Sequence, residues 1–335
     1  MAAEEVFFPD LFEESAVRLA PAPETLANEH GWKVVEESLP DGCAMRWMVC
    51  EESFSLDQTR VKLGPPDASG HRAVHFTQLR ATSHQLMALL AALAPSMSAV
   101  VVLGGGGMAL PMAMLAAGYA GRVHVVELHP KVIEFAQRFF GAEHPRLIVH
   151  QADALEMVAS GELGKLDCKL STFLVDVDFM RFPEVPELFI SHRFWRETWA
   201  LLCPDGAVAV NVIGCDRSAS LHSLVTVATA CAPGPVGALL VEPEDAEHRT
   251  WTPMMPRAGV LILGPREQLQ FGTGDDLEAD PAQPNVYGCL AGRFVGRCAA
   301  EFEDWHRGSW KARMVGWQLK ARGFLRFLGG NLRFV

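Results

Sequence analysis

The 335-residue sequence contains no Cys-x-x-Cys pair: its eight cysteines are scattered singly. That excludes the usual zinc spacings and a disulfide framework, and argues for reduced thiols in a cytoplasmic or similar compartment. It has no excess of basic charge. Its 29 Lys and Arg face 40 Asp and Glu, for a net charge of −11, which disfavours a whole-surface grip on nucleic acid. The opening MAAEEVFFPD is acidic, so it reads as neither a secretory signal nor a transit peptide. No membrane span is expected. Residues 86–120 are strongly apolar, but the run Gly104–Gly107 and Pro111 interrupt them, and strand-turn-helix explains the stretch better. Internal repeats and low-complexity tracts are missing. So is a metal signature: His124, His129, His144 and His150 fall at different strand and helix ends, without the i, i+4 pairing of a zinc helix.

What is present is organised around AVVVLGGGGMALPMAMLAAGYAGRVHVVE, from Ala99 to Glu127. Val100 to Leu103 is a continuous β-branched and aliphatic run, the pattern of a strand buried on both faces of a parallel sheet. Gly104 to Gly107 remove every side chain where the chain must turn. Met108 to Ala117 is a short apolar helix, with Pro111 tolerable in its first turn. Val123 to Val126 is a second buried strand, ending on Glu127. Strand, glycine turn, helix, strand, acid is the plan of a nucleotide-binding βαβ unit, in which the acid can hold both ribose hydroxyls. A glycine turn also occurs without a ligand. The acid 23 positions after Gly104 favours a nucleoside-containing one.

Along the chain, residues 1–30 form an acidic segment. Residues 31–80 read as a small antiparallel β region, with strands at Gly31 to Leu39, Arg46 to Cys50 and Ser55 to Leu63 around a Pro40-Asp41-Gly42 turn. Residues 81–270 alternate helix and strand. A helix over Ala81 to Leu93 precedes the first core strand, and another runs from Pro130 to about Phe139. Strands follow at Arg146 to His150 and Ser171 to Val175. Then come a helix over Pro186 to Leu202, a Cys203-Pro204-Asp205-Gly206 turn, a strand at Ala207 to Val212, a helix near 217–231, and strands near 236–242 and 258–264. This alternation predicts an α/β fold, a doubly wound and mostly parallel sheet with helices on both faces.

Residues 271–335 are a linker and a basic tail. Trp310, Met314, Trp317, Ala321, Phe324 and Leu328 recur there at helical spacing, with lysines and arginines between them. Residues 1–57 carry thirteen acids against three bases, and 291–335 nine bases against three acids. The two ends either attract each other or leave the tail as a basic partner surface, which keeps a nucleic-acid contact open.

Four carboxylates fall just after successive strands: Glu127, Asp153, Asp176 and Asp178. In an open α/β sheet the ligand crevice lies outside the carboxyl ends of the strands, so these acids converge there. Each has an ordinary alternative as a helix cap or loop acid. As a site, Glu127 suits ribose hydroxyls and Asp153 an exocyclic amine such as adenine N6. Asp176 and Asp178 sit nearest the expected reaction centre, to bind a cation or align an attacking amine. Trp195 would wall the pocket, and Trp251 to Pro256 is either a lid or an ordinary apolar loop.

VVVLGGGGMALPMAM, VHVVELHPKVIEFAQRFF, RLIVHQADALEMV and FLVDVD, followed by LFISHRFWRETWALLCPDGAVAVNVI, resemble the spermidine-synthase-like branch of class I S-adenosylmethionine-dependent methyltransferases. The resemblance implies a seven-stranded Rossmann-like sheet and S-adenosylmethionine as cofactor. Gly104, Gly105, Gly106, Glu127, Leu128, Asp153, Ala154 and Asp176 would bind it, with Asp176 and Asp178 as the catalytic pair. Aminopropyltransferases of this branch usually carry G-G-G-D-G-G and D-S-S-D-P loops and a tyrosine pair. Here Gly107 stands in place of the loop Asp, Val177-Asp178-Phe179 replaces the S-S-D part, and Phe194 and Trp195 stand in place of the tyrosines. The D-V-D run looks instead like the methyltransferase domains that modify eukaryotic elongation factor 1-alpha. That likeness implies methylation of a protein amine, a lysine or an N-terminus, with a translation factor as a candidate substrate and a homodimer as a candidate assembly. Aminopropyl transfer and a non-catalytic scaffold that kept the fold remain the alternatives.

Overall fold

A computed structural model of the chain describes residues 22–51, 57–76, 79, 82–93, 99–166, 168–177, 187–213, 219–241, 258–265 and 332–334. The N-terminal part is an antiparallel meander of five strands in sequence order: β1 (Glu24–Glu29), β2 (Trp32–Ser38), β3 (Ala44–Cys50), β4 (Asp57–Pro66) and β5 (Arg72–Val74). His30 and Gly31 join β1 to β2 with φ of 53° and 78°. Positive φ at both central residues is the requirement of a two-residue turn whose twist matches its strands. The meander starts earlier than the expected 31: ETLANE is a polar edge strand, half-exposed along its length, and carries no apolar alternation to announce it.

The second sheet runs in the order β13-β11-β12-β10-β9-β6-β7-β8. Its strands are β6 (Ala99–Leu103), β7 (Arg122–Glu127), β8 (Leu147–Gln151), β9 (Leu170–Val175), β10 (Leu202–Ile213), β11 (Val236–Val241), β12 (Ala258–Pro265) and β13 (Leu332–Phe334). β8, β7, β6, β9 and β10 pair in parallel, while β12 runs antiparallel to both β10 and β11. These seven make the expected Rossmann-like, mostly parallel sheet. β13 adds an antiparallel strand beyond β11. It closes the stretch read as a helical tail, whose apolar stripe lies outside the described residues. The expected turn at Cys203 to Gly206 is a register irregularity inside β10: the ladder to β9 skips from Leu202 to Ala207.

The strand sequences explain the layers. Every residue of AVVVL in β6 is buried, and alternate side chains enter two different cores. Val100 and Val102 join a core with the N-terminal sheet, α1 (Thr82–Leu93), α2 (Ala109–Ala116) and α3 (Pro130–Phe140). Val101 and Leu103 join a core with α4 (Ala154–Ala159), α5 (His192–Leu201) and α6 (Ala219–Ala230). Each fully buried valine contributes roughly 1.5–3 kcal/mol, so the central strand anchors both layers. The chain leaves β6 towards β7 and β8, then crosses to β9 on the other side. The order therefore reverses between β6 and β9, where a crevice opens at the carboxyl ends of the strands. Among the described residues no helix is long and apolar enough to cross a membrane.

Candidate functional site at the strand ends

The glycine turn after β6 sits between two protein surfaces. Gly104 has φ +87°, and a Cβ there would lie 2.4 Å from the carbonyl oxygen of Asp176. Asp176 N–H in turn donates to Leu103 O at 2.8 Å, so β6 and β9 exit side by side and only glycine leaves room. At Gly107 a Cβ would lie 2.7 Å from Cγ2 of Thr59. Thr59, buried in β4, presses on the turn from the N-terminal sheet and accepts the Gly107 N–H at 2.7 Å. Much of this glycine run thus makes space for the protein itself.

The backbone amides of the turn are committed too. Gly104 N–H donates to Val126 O at 2.9 Å and Met108 N–H to Gly105 O at 2.8 Å. Gly105 and Gly106 donate to Oε2 of Glu127 at 2.9 and 3.2 Å, while Oε1 accepts from His129 N–H at 2.9 Å. Five successive N–H groups therefore have internal acceptors. A pyrophosphate-binding turn presents its amides to the ligand, and this one does not. Glu127, the buried last residue of β7, ties the turn down and keeps one further lone pair, on Oε1, for a hydroxyl donor. Its neighbour Leu128 is 52% exposed, the one large apolar side chain exposed among the described residues. An apolar wall beside a hydroxyl-accepting carboxylate suits a nucleoside without phosphate. S-adenosylmethionine is one.

Asp153 is the N-cap of α4: its Oδ1 accepts from the N–H groups of Leu155 and Glu156 at 2.8 and 3.0 Å. The cap uses one oxygen, and Ala154 begins the helix beside it. Asp176, just past β9, is held from two sides. Its Oδ2 lies 2.7 Å from Nε2 of His84, and its Oδ1 accepts from Nδ2 of Asn211 at 2.9 Å. Burial disfavours the His84 cation, but the charge and hydrogen bond of Asp176 outweigh it and raise the His84 pKa above its ordinary value. Asp178 and Trp251 to Pro256 lie outside the described residues. Trp195 does not wall a pocket. It has no exposed surface, donates its Nε1–H to Phe189 O at 2.7 Å, and belongs to the core beneath α5.

The structure thus brings Gly104, Gly105, Gly106, Glu127, Leu128 and Asp176 around one crevice, with Asp153 and Ala154 at the next strand end. Three partners carry no mark in the site motifs: Thr59, His84 and Asn211. Asn211 had a readable signal, as the one polar residue in the apolar run AVAVNVI. Of the four histidines, His124 and His150 meet across β7 and β8, Nδ1 to Nε2 at 3.1 Å, while His129 lies against Trp32. No group of three or more His, Cys, Asp or Glu among the described residues is placed to hold a metal ion.

No family model matches the chain. Over 121 residues it is 29% identical to the eEF1A lysine and N-terminal methyltransferase of Mus musculus, covering 34% of this chain and 17% of that protein. The protein of that name from Bos taurus is 27% identical over 122 residues, with the same coverage. The match therefore spans less than a fifth of the length of these relatives. Among solved structures, a probable spermidine synthase from Corynebacterium glutamicum ATCC 13032 superposes with a TM-score of 0.55 at 15% identity. It covers 77% of this chain and 85% of that one, a likeness of fold. Both come from the branch that the motifs resemble.

Proposed function

We propose that this chain is an S-adenosylmethionine-dependent methyltransferase acting on a primary amine of a protein, a lysine or an N-terminus. The observation that carries the reading is the turn after β6. Its amides are consumed by Glu127, Thr59 and the backbone, which disfavours a phosphorylated ligand, and Glu127 and Leu128 leave a polar and an apolar surface for an adenosine. The names of the sequence relatives support the class of reaction. On this reading residues 81–270 form the cofactor-binding domain, carrying the β region 31–80 and the tail 271–335, in a cytoplasmic enzyme.

The residues then divide the work. Glu127 would accept from the ribose through its remaining lone pair on Oε1, and Leu128 would pack on the adenine face. Asp153 Oδ2 and the start of α4 at Ala154 would take the adenine edge, and Gly104 to Gly106 the methionine part. The cofactor supplies a methyl group bound to a sulfonium. Asp176 accepts an N–H from the substrate amine and aims its lone pair at that carbon, so that the new N–C bond forms as the C–S electron pair returns to sulfur. Asp178 follows two residues on as a second acid. The product ammonium sheds its proton to solvent. No covalent enzyme intermediate is needed, and alignment is the enzyme's main contribution.

The test is calorimetric titration of the full chain with S-adenosylmethionine, its decarboxylated form and S-adenosylhomocysteine, followed by single-turnover methyl transfer to purified elongation factor 1-alpha and other basic proteins. Preference for the decarboxylated donor would turn the reading to aminopropyl transfer, and no binding would turn it to a scaffold. Asp176→Asn is expected to keep cofactor affinity within a few-fold and to lower transfer by roughly 10²-fold. Near-normal transfer by that variant would remove Asp176 from the catalytic step.

A further inference from the structure

His84 is the one ionisable residue of α1, whose sequence TSHQLMALLAAL is otherwise small, apolar or neutral. Met87, Ala88, Leu90 and Ala91 of the same helix are buried in the core. α1 packs against α2, β9, β10 and β12. α2, β9 and β12 carry no charged residue, and Asp205, the one in β10, stands near the start of that strand. The charge that His84 meets is therefore Asp176, with Nε2 at 2.7 Å from Oδ2. Both side chains are only 16% exposed. Taking such a pair out of water is costly, and an apolar side chain at such a place usually serves stability as well or better. The pair calls for a reason other than stability. Asp176 supplies one: it closes β9 at the crevice, and with one bond on each oxygen it keeps a further lone pair on both.

We infer that His84 is a positioning residue for methyl transfer: it anchors the Asp176 carboxylate from α1, so that the free lone pairs meet the incoming amine in one orientation, and it acts only through that carboxylate. Asn211 steadies the other oxygen as a neutral donor, and His84 adds the charge. Its raised pKa has the same cause, the neighbouring carboxylate outweighing burial. A misplaced acid misaligns the amine and slows transfer without touching the nucleoside end of the crevice. This inference rests on the methyltransferase reading above.

The test is a double-mutant cycle in the full chain, with wild type, His84→Leu, Asp176→Asn and the double variant. Single-turnover methyl transfer to purified elongation factor 1-alpha and other basic proteins is measured beside S-adenosylhomocysteine affinity, with thermal unfolding as the check of fold. His84→Leu alone is expected to slow transfer about tenfold or more, the scale of one bond to a charged group, and to leave the affinity within about twofold. In the Asp176→Asn background the same change should cost less than about twofold, because the group it acts through is already gone. His84→Gln, which keeps a donor, should recover most of the loss. If His84→Leu fails to fold, His84→Ala takes its place in the cycle. The imidazole is also titrated by NMR, and its pKa should fall in Asp176→Asn. Near-normal transfer by a folded His84→Leu overturns the inference and leaves the methyltransferase reading standing. So do equal losses in both backgrounds, a matching loss of cofactor affinity, or an imidazole whose titration ignores Asp176→Asn. Absence of both binding and transfer in the wild type overturns the reading itself and this inference with it.

Discussion

Replacing Glu127 by glutamine tests the site's central feature with a side chain of the same shape. The carboxylate accepts three backbone N–H groups, two on Oε2 and one on Oε1. A glutamine has one acceptor oxygen and one donor nitrogen, so in either orientation a donor faces a donor. The better orientation keeps oxygen towards Gly105 and Gly106, turning two charge-assisted bonds into neutral ones, and sets NH₂ against the His129 N–H. Weakening the first pair costs about 1 kcal/mol and leaving a buried donor unpaired about 1–3 kcal/mol. The total is roughly 2–4 kcal/mol, which at about 2–4 °C per kcal/mol for a large domain lowers the Tm by on the order of 10 °C. The ribose hydroxyls lose their charged acceptor as well, so S-adenosylhomocysteine should bind about tenfold or more weakly. Thermal unfolding with and without ligand, plus calorimetric titration, reads both effects. A variant melting within about 1 °C of wild type, with a Kd within about twofold, would show that Glu127 neither ties down the turn nor faces the nucleoside.

Two further outcomes follow from the same geometry. Thr59→Val removes the acceptor of the Gly107 N–H while keeping the branched shape, and should destabilise by about 1–3 kcal/mol; urea unfolding monitored by circular dichroism measures it, and an unchanged midpoint would count against the clamp. His124 is buried beside His150 and near Arg122, and burial first, then those charges, lower its pKa to about 4. The folded-state value lies below the unfolded value of 6.5, so the unfolded chain binds more protons between the two. The stability it contributes is therefore complete above pH 6.5 and is lost as pH falls towards 4, by up to about 3 kcal/mol. Unfolding at pH 7 and pH 4.5 should show His124→Leu losing about 2–3 kcal/mol less than wild type between the two. Equal losses would show that this imidazole does not govern the acid limb.

The core of the sheet was legible because β6, β7, β9 and much of β10 are buried on both faces, and burial on both faces writes an unbroken apolar run. Glu127 and Asp176 were legible for the same reason, since the β7 run stops on the first and the β9 run is followed at once by the second. β1 left no such trace: ETLANE is an edge strand held by backbone pairing to β2, and only Leu26 and Ala27 of it pack against the core. The tail stretch suggested a helix by spacing, while its last described residues pair with β11, a long-range ladder that local periodicity cannot express. The partners of the site were hidden by distance along the chain. His84 meets Asp176 across 92 positions, Thr59 meets Gly107 across 48, and Asn211 meets Asp176 across 35. A carboxylate at a strand end announces that something is bound there. What holds the carboxylate is decided by folding.

The contact between Thr59 and the glycine turn also constrains the history open to this protein. With threonine at 59, a side chain at 107 has nowhere to go, because its first carbon would fall 2.7 Å from a methyl of the neighbouring sheet. A lineage carrying aspartate at that place in the turn, as aminopropyltransferases of this branch usually do, can reach the present arrangement only in one order. The turn must lose its side chain before β4 gains the branched residue, and a return requires β4 to yield first. One position lies in a strand of the N-terminal sheet and the other in the turn after β6, yet they are permitted to change only in sequence, each step licensing the next. The N-terminal meander is thus a gatekeeper of the cofactor turn's ancestry, and a graft of either part onto a cousin's other part would inherit the collision.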